Sequence, residues 1–205
     1  MINEFGPRVA SVWEGLRPVT KKMLVGALES ANQPTANTKS PKFSYDAHAD
    51  WEVSRLLKAL DEQSTQSEIR TDAAKLTEIR QLADTCVRVL ESQSASAEVF
   101  IQLAERAIKE NNYSRLDSLA DHLGQRYSAG EIAEVVRQTD LPQIRAIAYE
   151  TLAMLPVSAL LPLLDDHLYS GIAGASLEQK AYEFESEEAR DILDQLDGGN
   201  EPTGQ

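Results

Sequence analysis

From about Ile69 to Leu196, apolar residues recur at helical spacing, segment after segment, and the breaks between segments fall at similar intervals. Two phrases echo each other, Ile69-Arg70-Thr71-Asp72-Ala73 and Ile144-Arg145-Ala146-Ile147-Ala148. A second pair of phrases is Val135-Val136-Arg137-Gln138-Thr139-Asp140 and Leu160-Leu161-Pro162-Leu163-Leu164-Asp165, each closing a helix. No stretch alternates with period two for long enough to form a strand. Self-similar short helices bury their stripes by stacking on their neighbours, so the expected fold is all-α, built of stacked antiparallel helical hairpins. Such arrays usually present surfaces to partners.

The first region is the least regular. Val9, Val12, Trp13 and Leu16 have helical spacing, but Gly15 and Pro18 keep that helix short. Thr20 is placed to cap a second helix through Met23, Leu24, Ala27 and Leu28. The polar run 32–41, with Pro34 and Pro41, predicts a linker. The expected organisation is therefore an N-terminal helical arm and linker over 1–45, a repeat-like domain over 46–197 and a fraying tail over 198–205.

Within the domain, Asp46 or Asp50 starts a helix with Val53, Leu56, Leu57 and Leu60 on one side and Trp51 near its start. One long helix is expected from Ile69 to before Ser92, on the row Ile69, Leu76, Ala83 and Leu90. Asn111-Asn112 stops the next helix, and Ser128-Ala129-Gly130-Glu131 has the form of a capping box. Asp140 is expected to cap a helix that carries Pro142 in its first turn. Pro162 must fall in a first turn or kink its helix. Ser186 precedes Glu187-Glu188, a serine cap followed by acids suited to a helix N-terminus.

Setting Asn112, Asp140 and Asp165 as successive turns gives offsets of 28 and 25 residues. Leu116, Ile144 and Tyr169 then coincide, as do Ala120, Ala148 and Ala173, and inward alanines let helices approach. This pattern, over about residues 67–197, resembles HEAT-like repeats, especially the short bacterial type related to phycobilisome-lyase-like repeats. The resemblance implies an α-solenoid in which Asp140 and Arg145 contribute to an Asp–Arg ladder between hairpins. Arginine recurs at Arg70, but Asp117 and Ser170 stand at the other equivalent turns, and a compact helical bundle is the alternative.

The net charge of −13 is unevenly spread. Residues 1–45 hold six basic and three acidic side chains, a balance of +3, which leaves −16 for residues 46–205. An acidic body repels phosphate backbones, so nucleic acid is not an expected partner. No apolar stretch reaches the ~20 residues of a membrane span, and none near the start has the form of a secretory segment. Cys86 is the single cysteine, among Leu82, Ala83, Val89 and Leu90 at helical spacing, and reads as a buried small hydrophobe. The expected setting is cytoplasmic, without a membrane partner.

His48, His122 and His167 lie too far apart in sequence for a helical metal pair. Asp117 and Asp121 share a helix face but lack a complementary Glu-x-x-His helix. Gly171-Ile172-Ala173-Gly174 is not a phosphate loop, and no GxSxG elbow occurs. No catalytic, metal or cofactor residues are therefore assigned, and no cofactor is expected. The favoured function is a protein-binding or assembly module, engaging a protein partner or self-associating through the N-terminal arm. Arg137, Arg145, Tyr149 and Tyr169 are the candidate interface anchors, because tyrosine and arginine are common anchors of protein interfaces. The alternatives are an enzyme or small-molecule binder with an inter-helix acidic site drawn from Asp117, Asp121, His122 or the tyrosines, and a structural homo-oligomer built through the arm.

Overall fold

Among the described residues, twelve α-helices account for the secondary structure, with one short 3-10 turn at Ile2–Phe5. The computed structural model describes residues 2–32 and 45–198, of which 83% are helical, with no strand among the described residues. The expected linker over 32–41, apart from Asn32, and the tail beyond Gly198 lie outside the described residues. The chain divides into two compact units, Met1–Ser94 and Ala95–Gln205.

The first unit is organised by α3 (Ala47–Ser64) and α5 (Ala73–Gln93), its most extensively packed pair. Asp46 caps α3 by accepting the Ala49 amide at 2.8 Å. Val53, Leu56, Leu57 and Leu60 on α3 are fully buried, as are Ile79, Cys86 and Leu90 on α5. Each such leucine contributes about 2 kcal/mol by leaving water. The single helix expected from Ile69 is instead two, α4 (Ser67–Arg70) and α5. The Asp72 carboxylate accepts the Lys75 amide at 3.1 Å and Thr71 Oγ1 donates to the Glu68 carbonyl, so the chain breaks where the apolar row continues.

Helices α1 (Pro7–Gly15) and α2 (Pro18–Asn32) belong to this same unit, α1 packing on α3 and α2 on both α3 and α5. Gly6 opens α1 at φ 111°, a conformation open to glycine, and a Cβ there would sit 2.8 Å from Gln63 Nε2. Thr20 does not cap α2, which begins at Pro18; its hydroxyl is buried and turned toward α3.

The second unit holds α6 (Ala97–Lys109), α7 (Tyr113–Arg126), α8 (Ala129–Gln138), α9 (Pro142–Met154), α10 (Val157–Leu164), α11 (Ser170–Tyr182) and α12 (Glu187–Gly198). Its packing follows two rows. Helices α7, α9 and α11 neighbour one another in order, and α6, α8 and α10 do likewise, while α6–α7, α8–α9 and α10–α11 pair across the rows. Ala148 and Ala173, aligned from the sequence, are fully buried in the first row, with Ala120 half-buried. A Cβ on Gly124 of α7 would lie 3.5 Å from Thr151 Cγ2 of α9, ordinary contact between close helices. Paired helices thus run from Ala97. The phrase at Ile69 straddles the α4–α5 break, whereas Ile144-Arg145 lies within α9, so these two echoes are not equivalent in structure.

Turn chemistry sets the helix ends. Asn111 takes φ 54° and Asn112 accepts the Arg115 amide, starting α7. Ser128 accepts the Glu131 amide at 3.2 Å, half of a capping box. Glu131 then reaches across to accept the Ala97 amide at 2.8 Å, so one residue serves the starts of α8 and α6. Asp140 is not the cap of α9; Leu141 holds that position and Thr139 Oγ1 accepts its amide. Pro162 lies inside α10, which ends two residues later. Among the described residues no single helix is long and apolar enough to cross a membrane; α9 and α10 are apolar but bent by 114°.

Candidate functional site

A buried carboxylate ties the junction of α1 and α2 to α3. Glu52 is 1% exposed. It accepts the Arg17 amide at 2.6 Å, Arg17 Nε at 3.0 Å and the Thr20 hydroxyl at 2.5 Å. The outer edge of the Arg17 guanidinium grips Asp46 through two bonds of 3.0 and 2.7 Å. Burial alone would raise the Glu52 carboxyl, yet the Thr20 and Arg17 hydrogen bonds outweigh it and hold its pKa below the usual value. The bonds from Arg17, and then the Ala49 amide, lower Asp46 in the same way. Tyr45 joins the cluster by donating to Asp50 at 2.6 Å, and its burial pushes the phenol up. Accepting three hydrogen bonds, the Glu52 carboxylate is a structural pin and not a free acid.

The solvent face of α3, which Glu52 flanks, is different. His48, Trp51, Arg55 and Lys58 are all exposed and spaced by three, four and three residues, which places them in one row along the helix. The Arg55 guanidinium lies 4.4 Å from the centre of the Trp51 ring, and His48 meets that ring edge-on at 5.6 Å. Trp51 remains 53% exposed. Beside it, Ser11, Val12, Gly15 and Leu16 line a shallow cleft of about 70 Å³ with Trp51, Glu52 and Arg55. That volume holds a few waters and is well short of the ~300 Å³ of a small-molecule pocket. A Cβ on Gly15 would meet nothing within 4 Å, so the cleft lies open beside α1. Among the described residues no carboxylate pairs with Arg55 or Lys58.

The anchors expected from sequence sit in the second unit and are partly engaged within it. Tyr169 donates to Glu134 at 2.8 Å, and Arg137 and Gln138 donate to the same carboxylate. Arg137 first, and the Gln138 and Tyr169 bonds after it, hold the Glu134 carboxyl down to about 2. Structure thus brings Arg137 and Tyr169 together through Glu134, a residue the sequence did not single out. Arg145 instead donates to the Thr139 carbonyl at 2.6 Å, closing its own turn. Tyr149 is half-buried on α9.

Asp117 and Asp121 are exposed on α7, and His122 Nδ1 is buried there without a hydrogen-bond partner. His167 is exposed, 3.8 Å from Asp166. No group of three potential metal ligands occurs among the described residues. The α3 row was not among the anchors expected from sequence; the signal that could have found it is the spacing of residues 48, 51, 55 and 58, opposite Val53, Leu56, Leu57 and Leu60. Only the pairing of Trp51 with Arg55, and the absence of a carboxylate on Arg55, required coordinates. No family model, curated protein or solved structure matches this chain, so its surfaces are read from their own chemistry.

Proposed function

We propose that this chain is a protein-binding module of the helical-repeat type, docking through the exposed Trp51–Arg55 row on α3. The observation that carries the proposal is a tryptophan left half in water with a guanidinium on its face and an open cleft at its edge. Tryptophan and arginine dominate binding energy at protein interfaces, and a stacked pair is already ordered before a partner arrives. The two-row packing of α6–α11 and the buried Ala148 and Ala173 support the helical-repeat part, in line with the HEAT-like resemblance. A cytoplasmic setting, with the single cysteine buried, accords with it.

A photo-crosslinking residue tests the docking point. Trp51→benzoylphenylalanine, irradiated in lysate of the source cells, is expected to give a discrete adduct. Tyr113→benzoylphenylalanine, at an equally open position, is expected to give none. Adducts at both positions, or at neither, would overturn the assignment of α3 as the docking face.

A further inference from the structure

Resting on that docking face, we infer that the Trp51–Arg55 row receives the acidic aromatic turn Tyr182–Glu188 of a second copy of this chain. Among the described residues no carboxylate pairs with Arg55 or Lys58, and Glu52, 3.8 Å from His48, is spent on Arg17 and Thr20. Arg55 holds Trp51 with its face and keeps its edge N–H groups, while Lys58 continues the same side of α3. A guanidinium stacked in this way accepts a carboxylate in its own plane, so ring and carboxylate side by side are the matching chemistry.

The chain carries one exposed segment with that chemistry in dense form. Tyr182 is 74% and Phe184 45% exposed, and the exposed Glu183, Glu185, Glu187 and Glu188 surround them. The turn has a set shape. Glu185 takes φ 54°, the Ser186 amide donates to the Lys180 carbonyl at 3.2 Å, and Ser186 Oγ accepts the Ala189 amide at 3.3 Å. A phenyl flanked by Glu183 and Glu185 offers an apolar face to Trp51 and a carboxylate to Arg55.

Net charge is negative on both units, so the encounter rests on local charge, Arg55 and Lys58 against Glu183, Glu185, Glu187 and Glu188. Residues 1–94 hold 12 basic and 13 acidic side chains, a net −1, whereas residues 95–205 hold 8 and 20, a net −12. The attraction between the row and the turn of different copies is therefore salt-sensitive. The contact joins unlike surfaces, so each bound copy still has one row or one turn to offer.

Sedimentation velocity of the full chain at low and high salt tests this. At ~50 mM salt the mass is expected to rise above 22.6 kDa with concentration, and ~500 mM salt is expected to reverse it. Arg55→Glu alone, or Glu183→Lys with Glu185→Lys, is expected to weaken association at least about tenfold, with far-UV circular dichroism unchanged. Mixing these two variants is decisive: one keeps its turn and the other its row, and the reversed charges match each other, so association is expected to return in the mixture. A monomeric wild type at every concentration, or equal association of Arg55→Glu, would overturn the inference. If position 51 then crosslinks to a different protein, the docking face stands with another occupant; if it crosslinks to nothing, both proposals fall.

Discussion

The two units use carboxylates in opposite ways. In the first, Glu52 is wholly buried and meets a cation, a backbone amide and a hydroxyl. In the second, Glu131 and Glu134 sit at partly exposed positions and bind a helix-start amide, a phenol, an arginine and a glutamine. A buried charge must have every donor in place or it destabilises the fold, so Glu52 specifies one seating of α1 and α2. Rim carboxylates add smaller, separable increments. The same difference appears in net charge, −1 against −12. The unit with the buried ion pair is also the one whose surface keeps Arg55, a guanidinium with no carboxylate partner among the described residues.

Both tryptophans, Trp13 and Trp51, lie in the first unit, so their fluorescence reports on it while circular dichroism reports on all helices. The largest expected effect is Glu52→Ala, which leaves Thr20 and the Arg17 amide unpaired in the interior. It should cost about 3 kcal/mol, seen as a fall of about 2 M in the urea midpoint of tryptophan fluorescence. A shift under about 0.5 M would erase the contrast between pin and rim.

Acid should act next. Glu52 and Asp46 have folded pKa values below their ordinary ones, so the stability they confer is complete above about pH 5 and is lost as pH falls. The fluorescence midpoint is expected to decline from about pH 5 downward, and Glu52→Ala to flatten that decline. An unchanged slope in the variant would remove Glu52 as the acid-sensitive group. Glu134 titrates the same way in the second unit, its contribution draining between about 4.5 and about 2. The smallest effect belongs to Tyr169→Phe, which removes one of the donors to Glu134. It should lower stability by about 1 kcal/mol in circular dichroism and leave the fluorescence midpoint in place. Movement of both signals together would show that the units unfold as one.

The all-helical class was legible because apolar stripes at 3.6-residue spacing survive without knowledge of neighbours, and the buried residues of α3, α8 and α9 follow them. Helix ends were less legible wherever two polar residues competed. Thr71 and Asp72 broke an apolar row that looked continuous, and Leu141 took the cap position expected for Asp140, with Thr139 accepting its amide. Long-range bonds were invisible to local pattern: Thr20 reads as a cap until Glu52, 32 residues away, is placed against it. The chosen anchors Arg137, Arg145 and Tyr169 were residue types suited to an interface, and their bonds to Glu134 and to the Thr139 carbonyl are contacts that residue type alone does not reveal. Exposure of Trp51 is a tertiary property, set by α1 stopping at Gly15 and leaving the ring uncovered.

Cys86 gives the molecule a clock. It is fully buried on α5 and is the only thiol in 205 residues. A thiol reagent in water therefore reacts only during moments when α5 comes away from its surroundings. When closing outruns the chemistry, the labelling rate divided by that of a free cysteine is the fraction of time spent open. One colourimetric trace then dates the breathing of the first unit, and the second contributes nothing to the signal.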